Sequence, residues 1–251
     1  MRVLVTGGAG FIGSHLAEAL VSAGHGVVIL DNLSTGSLSN LEPLKSSPEC
    51  RCVTESVDND PVLAEHVDWA DIVVHLAAAA GVKLLIDSPV SAIETNINGT
   101  ERVLQRASKK KKLVLLASTA DVYGKTPKLP CREDDDILIG RPARARWAYA
   151  CSKALDEFLA LAYWKERELP VVILRIFNTI GLRQTARYGM VAPTFVRQAL
   201  EGSPITVFGD GSQSRCFSDV RDVVAATIGI MDQPKAVGEV LNVGSNEEVA
   251  I

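Results

Sequence analysis

The sequence has 251 residues, 47% of them hydrophobic, a formal net charge of −4 and an isoelectric point near 5.6. A chain of this length can bury one large core or two unequal lobes. Its acidic balance argues against nucleic acid as a partner. The lysine run at residues 109–112 is a local exception, which we interpret as a solvated helix end.

The cysteines and histidines give no sign of a metal centre. Five cysteines contain no CxxC pair and four histidines contain no HExxH motif, so we predict no metal site. An odd number of cysteines suits a reducing compartment. The sequence shows no signal-peptide pattern and no apolar stretch long enough to span a membrane. We therefore expect a soluble, cytoplasmic protein that does not bind membranes.

A glycine-rich turn opens the chain. An apolar strand predicted over Arg2–Thr6 runs into glycines at positions 7, 10 and 13, and a helix is predicted over residues 14–22. This order is the context that a dinucleotide-binding fingerprint requires. Gly7 permits the tight turn, Gly10 lets the backbone approach a pyrophosphate, and Gly13 lets the helix pack closely on the sheet. The helix N-terminus supplies N–H groups and a partial positive charge for the phosphates.

The next strand, predicted over residues 27–30, ends at Asp31. A carboxylate at this point, about 20 residues beyond the glycines, accepts hydrogen bonds from the ribose hydroxyls of an adenosine. It would repel a 2′-phosphate, and the loop that begins at Asn32 is neutral. The sequence therefore predicts NAD rather than NADP as the cofactor.

The later elements indicate a doubly wound α/β fold. Strands are predicted over residues 72–76, 113–118, 171–176 and 240–243, and helices over 93–107 and 147–165. The strands are apolar at consecutive positions, which is typical of a parallel sheet covered by helices on both faces. We therefore predict a doubly wound parallel sheet with a small interleaved substrate-binding lobe.

The domain division follows from a change in composition. Residues 1–176 are predicted to form an NAD-binding Rossmann domain, with 239–251 returning to its sheet. Residues 177–238 are richer in Gly, Pro and Arg, and we predict that they form a partial substrate-binding lobe. Loops after the carboxyl ends of strands are where a ligand sits in such a sheet.

Tyr149 and Lys153 lie four residues apart on a predicted helix, so they share one face. An ammonium about 4 Å from the phenol, at an effective dielectric near 20, interacts by about 4 kcal/mol, or roughly three pK units. We therefore expect Lys153 to lower the pKa of Tyr149, making it a base for a sugar hydroxyl. The strand at 113–118 is followed by Thr119 and Asp121, which place a hydroxyl and a carboxylate at the same sheet edge.

Several motifs carry a resemblance to a known family. Along the chain occur TGGAGFIG (6–13), HLAA (75–78), TNINGT (95–100), STADVYG (118–124), YACSK (149–153), RIFN (175–178) and GDGSQSR (209–215). Together they resemble the extended short-chain dehydrogenase/reductase family, the NAD-dependent sugar-nucleotide epimerases and dehydratases. The resemblance spans nearly the whole chain. It implies a Rossmann fold, NAD, a UDP-linked sugar substrate and a homodimer, and it implies that the substrate-binding lobe is C-terminally shortened.

The resemblance also assigns residues. It implies a catalytic set of Thr119, Tyr149 and Lys153, with Asp121 beside it. The NAD contacts that it implies are Gly7, Gly10, Phe11, Ile12, Gly13, Asp31, Asn32, Asp58, Ala77, Asn96, Tyr149 and Lys153. The substrate contacts that it implies are Asn178, Arg183 and Arg215, the arginines being suited to grip phosphate oxygens.

The family's first step, oxidation of a sugar C4 hydroxyl, leads to several reactions. Position 121 discriminates between them, because decarboxylases and dehydratases commonly have a glutamate there and epimerases a neutral residue. Asp121 is a shorter carboxylate, and Ala120 is not the acidic residue that dehydratases tend to carry. We expect a UDP-glucose 4-epimerase-like enzyme first and a UDP-glucuronate decarboxylase second. A non-catalytic NAD-binding protein is the third reading, since fold does not fix function.

Overall fold

The structure is a computed structural model that describes residues 1–79, 87–144, 146–186 and 190–251. Its strands, in chain order, are β1 (Arg2–Thr6), β2 (Gly26–Leu30), β3 (Cys50–Val53), β4 (Ile72–His75), β5 (Leu113–Thr119), β6 (Val171–Ile176), β7 (Thr179–Ile180), β8 (Ser214–Cys216), β9 (Ser218–Asp219), β10 (Val240–Val243) and β11 (Glu248–Ala250). The α-helices are α1 (Phe11–Ser22), α2 (Asp60–Trp69), α3 (Pro89–Ser108), α4 (Arg146–Arg167), α5 (Val191–Leu200) and α6 (Val220–Met231). Within the described residues, short 3₁₀ turns cover Leu38–Leu44, Ala120–Tyr123 and Pro234–Ala236.

Seven parallel strands form one sheet in the order β10-β6-β5-β4-β1-β2-β3. The predicted α/β fold with a doubly wound parallel sheet is confirmed. From β1 the chain first builds outward through β2 and β3, and then returns to place β4 on the other side of β1. Such a reversal of strand order leaves a crevice at the carboxyl ends of the strands.

The two faces of the sheet explain the continuous apolar strands. Val3 and Val5 of β1 pack with α1 and α6 on one face, whereas Leu4 packs with α2 and α3 on the other. Successive strand residues point to opposite faces, so both must be apolar when helices cover both. All three residues are fully buried.

Strand β3 was not predicted from the sequence. It reads Cys-Arg-Cys-Val, lies at the sheet edge and pairs with β2 only. Its residues are exposed or half-buried, so neither a continuous apolar run nor a regular alternation marks it. The sheet therefore has one more strand than the six that were predicted.

The substrate-binding lobe differs in detail from its prediction. β10 joins the sheet beside β6, but β11 pairs antiparallel with β8, so residues 239–251 do not all return to the sheet. Helix α6, inside the range 177–238, packs on α1 because its buried residues include Val220, Val223 and Val224 at helical spacing. The division at these boundaries stays a proposal. Residues 187–189 of the predicted lobe lie outside the described residues.

Candidate functional site

A cavity of about 880 Å³ lies at the carboxyl ends of the central strands. Of the residues predicted for the site, its lining contains Gly7, Gly10, Phe11, Ile12, Gly13, Asp31, Asn32, Ala77, Thr119, Asp121, Tyr149, Lys153 and Asn178. Its size is in the range typical of cofactor and ligand sites. Four further candidates, Asp58, Asn96, Arg183 and Arg215, are not part of this lining.

The glycine turn between β1 and α1 forms one end of the cavity. Gly7 has a positive φ of 72°, and a Cβ there would lie 2.7 Å from the amide nitrogen of Ala77. A Cβ on Gly13 would overlap the carbonyl oxygen of Gly7. Both positions therefore exclude any side chain. Gly10 precedes α1, whose first N–H groups have no acceptor within the helix and can bind phosphate oxygens.

Asp31 is placed to hold a ribose. Its side chain is buried at the end of β2, where one oxygen accepts the N–H of Ala9 at 2.9 Å and the other that of Leu33 at 2.8 Å. A carboxylate oxygen can accept more than one hydrogen bond, so both retain capacity for ribose hydroxyls. In the lining formed by the described residues, the only basic side chain is Lys153, far along the chain in α4. The glycine turn, α1 and Asp31 thus fit NAD and offer nothing to neutralise a 2′-phosphate.

Thr119 and Tyr149 meet where β5 approaches α4. Thr119 is the last residue of β5, and its Oγ1 accepts the N–H of Asp121 at 3.2 Å, which caps the following 3₁₀ turn. Tyr149 is in the first part of α4, and the Thr119 hydroxyl is close enough to its phenol to lower the pKa of Tyr149. Both line the cavity with Asp121, so three of the predicted catalytic groups are brought together.

The pKa of Tyr149 corrects the expectation from the sequence. Burial raises this pKa above the ordinary value of 10.0, and the charges of Asp121 and Asp156 raise it further, while the hydrogen bond with Thr119 lowers it. The expected lowering by Lys153 is not seen. The ammonium of Lys153 instead forms an ion pair with Asp156 at 2.8 Å. The phenol of Tyr149 therefore keeps its proton at neutral pH in this structure, and bound NAD would add a positive charge that favours its ionisation.

A buried polar network continues from this ion pair into the core. Lys153 and Asp156 are only 2% and 1% exposed. Next to them the hydroxyl of Thr100 on α3 lies 3.3 Å from Nε2 of His75, whose Nδ1 lies 2.7 Å from the hydroxyl of Thr6. Burial, with Lys153 adding to it, lowers the pKa of His75 to about 3, so the ring is neutral. The sequence analysis missed Asp156, although its i,i+3 spacing from Lys153 on a helix was a usable signal.

A second buried ion pair fixes the end of β5. Arg175 on β6 donates to Glu157 on α4 through Nη2 at 2.8 Å and Nε at 3.1 Å. Ser118, which is opposite Arg175 in the β5–β6 register, donates to the same carboxylate. The cluster links β5, β6 and α4 next to Thr119 and Tyr149. It was also missed, because the three residues are far apart in sequence.

Asn96 and Asp58, both predicted to contact NAD, have structural partners instead. Asn96 on α3 is buried; its Oδ1 accepts the N–H of Ala79 at 2.7 Å and its Nδ2 donates to Ser152 at 3.1 Å. Asp58 pairs with Arg102 at 2.9 Å. Asn96 thereby joins α3, α4 and the chain after β4. The residues just before Asp58, at positions 56 and 57, line the cavity in its place.

Of the predicted substrate contacts, Asn178 lies at the cavity, whereas the two arginines lie outside its lining. Asn178 lines the cavity and its Nδ2 donates to the carbonyl of Cys216 at 3.2 Å. Arg183 pairs with Glu18 on α1 at 2.6 Å. Arg215 is exposed in β8 and donates to the carbonyl of the preceding residue. Neither guanidinium is therefore part of the cavity lining.

Comparison with known proteins gives a consistent result. Residues 3–244 match the model of the NAD dependent epimerase/dehydratase family. The chain is 47% identical over 252 residues to a UDP-N-acetyl-alpha-D-glucosaminuronate decarboxylase of Bacillus cytotoxicus, covering 100% of this chain and 77% of the relative. It is 35% identical to UDP-glucuronic acid decarboxylase 1 of Danio rerio, covering 100% of this chain and 58% of that protein.

Among solved structures, a UDP-glucuronic acid 4-epimerase from Bacillus cereus, in complex with UDP-glucuronic acid and NAD, superposes with a TM-score of 0.89. It is 32% identical, and the match covers 100% of this chain and 80% of that one. Both decarboxylases and epimerases are therefore similar to this chain.

In the part of the chain that the structure describes, every helix is too short or too polar to cross a membrane.

Proposed function

Because the chain belongs to the NAD-dependent epimerase/dehydratase family and uses NAD, we propose that it is a decarboxylase of a UDP-linked uronic acid. The observation that carries this proposal is the 47% identity, over the whole chain, to a UDP-N-acetyl-alpha-D-glucosaminuronate decarboxylase. We name the N-acetylated uronate as the first substrate and UDP-glucuronate as the second. The 4-epimerase, favoured by the sequence analysis, becomes the alternative, and the epimerase from B. cereus supports it at 32% identity.

The proposed chemistry begins at C4 of the sugar. Bound NAD supplies the hydride acceptor for this carbon. Tyr149 takes the proton of the C4 hydroxyl. Thr119, which is next to the phenol, holds the sugar's C4 hydroxyl in place. The C4 ketone is then β to the C6 carboxylate, so the C5–C6 bond can break and leave its electron pair on C5 and the C4 oxygen. Carbon dioxide leaves and a proton adds to C5. When C4 is reduced again, Tyr149 gives its proton back to the C4 oxygen, and the reduced cofactor would supply the hydride.

Asp121 supports the decarboxylase over the epimerase. It lines the cavity, and its charge acts on the phenol of Tyr149, so it lies close to the reacting part of the sugar. A fixed carboxylate there disfavours the ionised C6 carboxylate of the substrate and favours the step in which that group departs as neutral carbon dioxide. An epimerase needs no such group, since its substrate keeps C6.

The test is product analysis by mass spectrometry and NMR. We incubate the NAD-loaded protein with the UDP-linked N-acetylglucosaminuronate, UDP-glucuronate, UDP-glucose and UDP-N-acetylglucosamine. The proposal expects loss of carbon dioxide from a uronate. An unchanged mass with inverted C4 supports the epimerase, and retained NAD with no product from any sugar supports the non-catalytic reading. Tyr149→Phe is the control: it should bind NAD normally and lose turnover.

We further propose that the protein is a homodimer that acts in the cytoplasm. Phe158 and Leu155, one turn apart on α4, are large apolar side chains exposed by 66% and 47%. An apolar stripe on the helix that bears Tyr149 fits burial against a second copy. All five cysteines are free thiols, which suits a reducing compartment. Light scattering tests the dimer, and Phe158→Asp should give a monomer.

A further inference from the structure

The ion pair between Lys153 and Asp156 is almost completely buried. The two side chains are 2% and 1% exposed, and the distance between Nζ and Oδ2 is 2.8 Å. A buried charge is costly unless it is paired, so the contact with Asp156 compensates for the burial of the Lys153 side chain. An ammonium has three N–H donors, which leaves two for groups other than Asp156. Lys153 lines the cavity and can use them there.

The pair changes what Lys153 does to Tyr149. A lone ammonium one helical turn away would favour the phenolate. Because Asp156 is paired with the ammonium, the phenol of Tyr149 is next to a dipole rather than a single positive charge. Asp156 in fact acts on Tyr149 in the direction opposite to the one expected of a lysine, since it raises the phenol's pKa.

We propose that Asp156 is a positioning residue that holds the ammonium of Lys153 in the cavity wall and offsets its charge, and so sets the pH above which Tyr149 acts as a base. This rests on the proposed function, in which Tyr149 takes a proton from the sugar. It adds a residue that does not touch the substrate and acts through Lys153.

Among the described residues, other charged and titratable groups surround the pair. Glu157 follows Asp156 on α4, and its charge raises the pKa of Asp156, as burial does more strongly. His75 approaches from β4 but is neutral, and α3 contributes the uncharged hydroxyl of Thr100. Asp121, from the turn after β5, acts on Tyr149 directly.

The size of the effect follows from the helix. Tyr149 and Asp156 are seven residues apart on α4, which is about 10 Å along its axis. At an effective dielectric near 20, one unit charge at this distance moves a titration by about one pH unit. Removing the charge of Asp156 should therefore allow Tyr149 to ionise about one pH unit lower.

The experiment measures the ionisation of Tyr149 in the NAD-loaded protein. Ultraviolet absorbance of tyrosinate is recorded against pH for each protein and for the same protein carrying Tyr149→Phe, so that the difference reports Tyr149 alone. Asp156→Asn removes the charge and keeps the shape, and Asp156→Glu keeps the charge. Glu166→Gln, an exposed position on the same helix, is the matched control.

We expect Asp156→Asn to lower the midpoint by about one pH unit, and Asp156→Glu and Glu166→Gln to leave it near that of the unsubstituted protein. Where a UDP-sugar is turned over, the acidic limb of kcat/KM should move by the same amount. If Asp156→Asn does not fold, Asp156→Ser serves as the neutral variant, because a serine leaves room for water beside the ammonium.

An unchanged midpoint in the neutral variant, with activity reduced equally at every pH, would overturn the proposal and leave Asp156 a structural role only. Failure of the proposed function has a different signature. A protein that turns over no UDP-sugar still gives the absorbance titration, so the inference about Asp156 is tested in either case.

Discussion

The buried pair of Glu157 and Arg175 gives the sharpest prediction for stability. Both side chains are at most 6% exposed, and Arg175 donates three hydrogen bonds of 2.8, 3.1 and 3.2 Å to the carboxylate. Glu157→Gln keeps the shape and removes the charge, leaving the guanidinium buried without an anion. Breaking a buried pair in this way costs about 3–5 kcal/mol, and we expect the lower end because the amide oxygen still accepts. At roughly 2–4 °C per kcal/mol for a chain of this size, the melting temperature should fall by about 6–12 °C.

Urea unfolding of the cofactor-free protein measures this loss. Glu166→Gln, exposed on the same helix, should change the unfolding free energy by no more than about 0.5 kcal/mol. Adding Arg175→Met to the Gln variant removes the unpaired cation and should recover part of the loss. A loss below about 1 kcal/mol in Glu157→Gln, or a double variant that is weaker still, would refute the reasoning.

Three further predictions concern the core and the cofactor end of the cavity. Because the pKa of His75 is about 3 in the folded chain against an ordinary 6.5, the unfolded chain binds one more proton between these values. Stability should therefore fall by up to about 1.4 kcal/mol per unit as pH drops through this window, and His75→Asn should flatten the slope of urea-unfolding free energy against pH. Gly13→Ala, whose Cβ overlaps the Gly7 carbonyl, should abolish NAD binding in calorimetry, whereas Gly229→Ala, in open space on α6, should bind NAD unchanged and be slightly more stable. Asp31→Ala should weaken NAD binding at least tenfold, which corresponds to a loss of about 1.4 kcal/mol, and should reduce the ratio of NAD affinity to NADP affinity. An NAD affinity equal to that of the unsubstituted protein would contradict the role of Asp31.

Local patterns predicted most of the fold. The apolar runs of β1, β2 and β6 and the glycines of the first turn depend on neighbours within a few residues, so they are visible in the sequence. The helix bounds were predicted to within a few residues for α1, α3 and α4. Strand β3 was not predicted because it lies at the sheet edge, where its residues need not be apolar. That position depends on the whole fold and is not visible in the local sequence.

The site residues that motifs place at strand ends could be predicted from the sequence. The residues whose partners are distant in the chain could be predicted less well. Thr119 and Tyr149 meet because β5 ends at the cavity and α4 begins there. The contact with Asp156 changes the effect of Lys153 on the pKa of Tyr149. The spacing of these residues on the helix does not show how large that change is. Arg183 was expected at the substrate, but its guanidinium binds Glu18 on α1, a contact 165 residues apart in sequence.

This contact between Arg183 and α1 has a practical use. The same segment also presents the carbonyl of Leu182 to His15, so two consecutive residues after β7 hold the helix that begins at the glycine turn. Glu18 is outside the cavity lining, so a charge reversal there would release the segment without changing a residue that faces the ligands. Glu18→Lys should therefore weaken the attachment of this segment to α1 without altering any residue of the cavity lining.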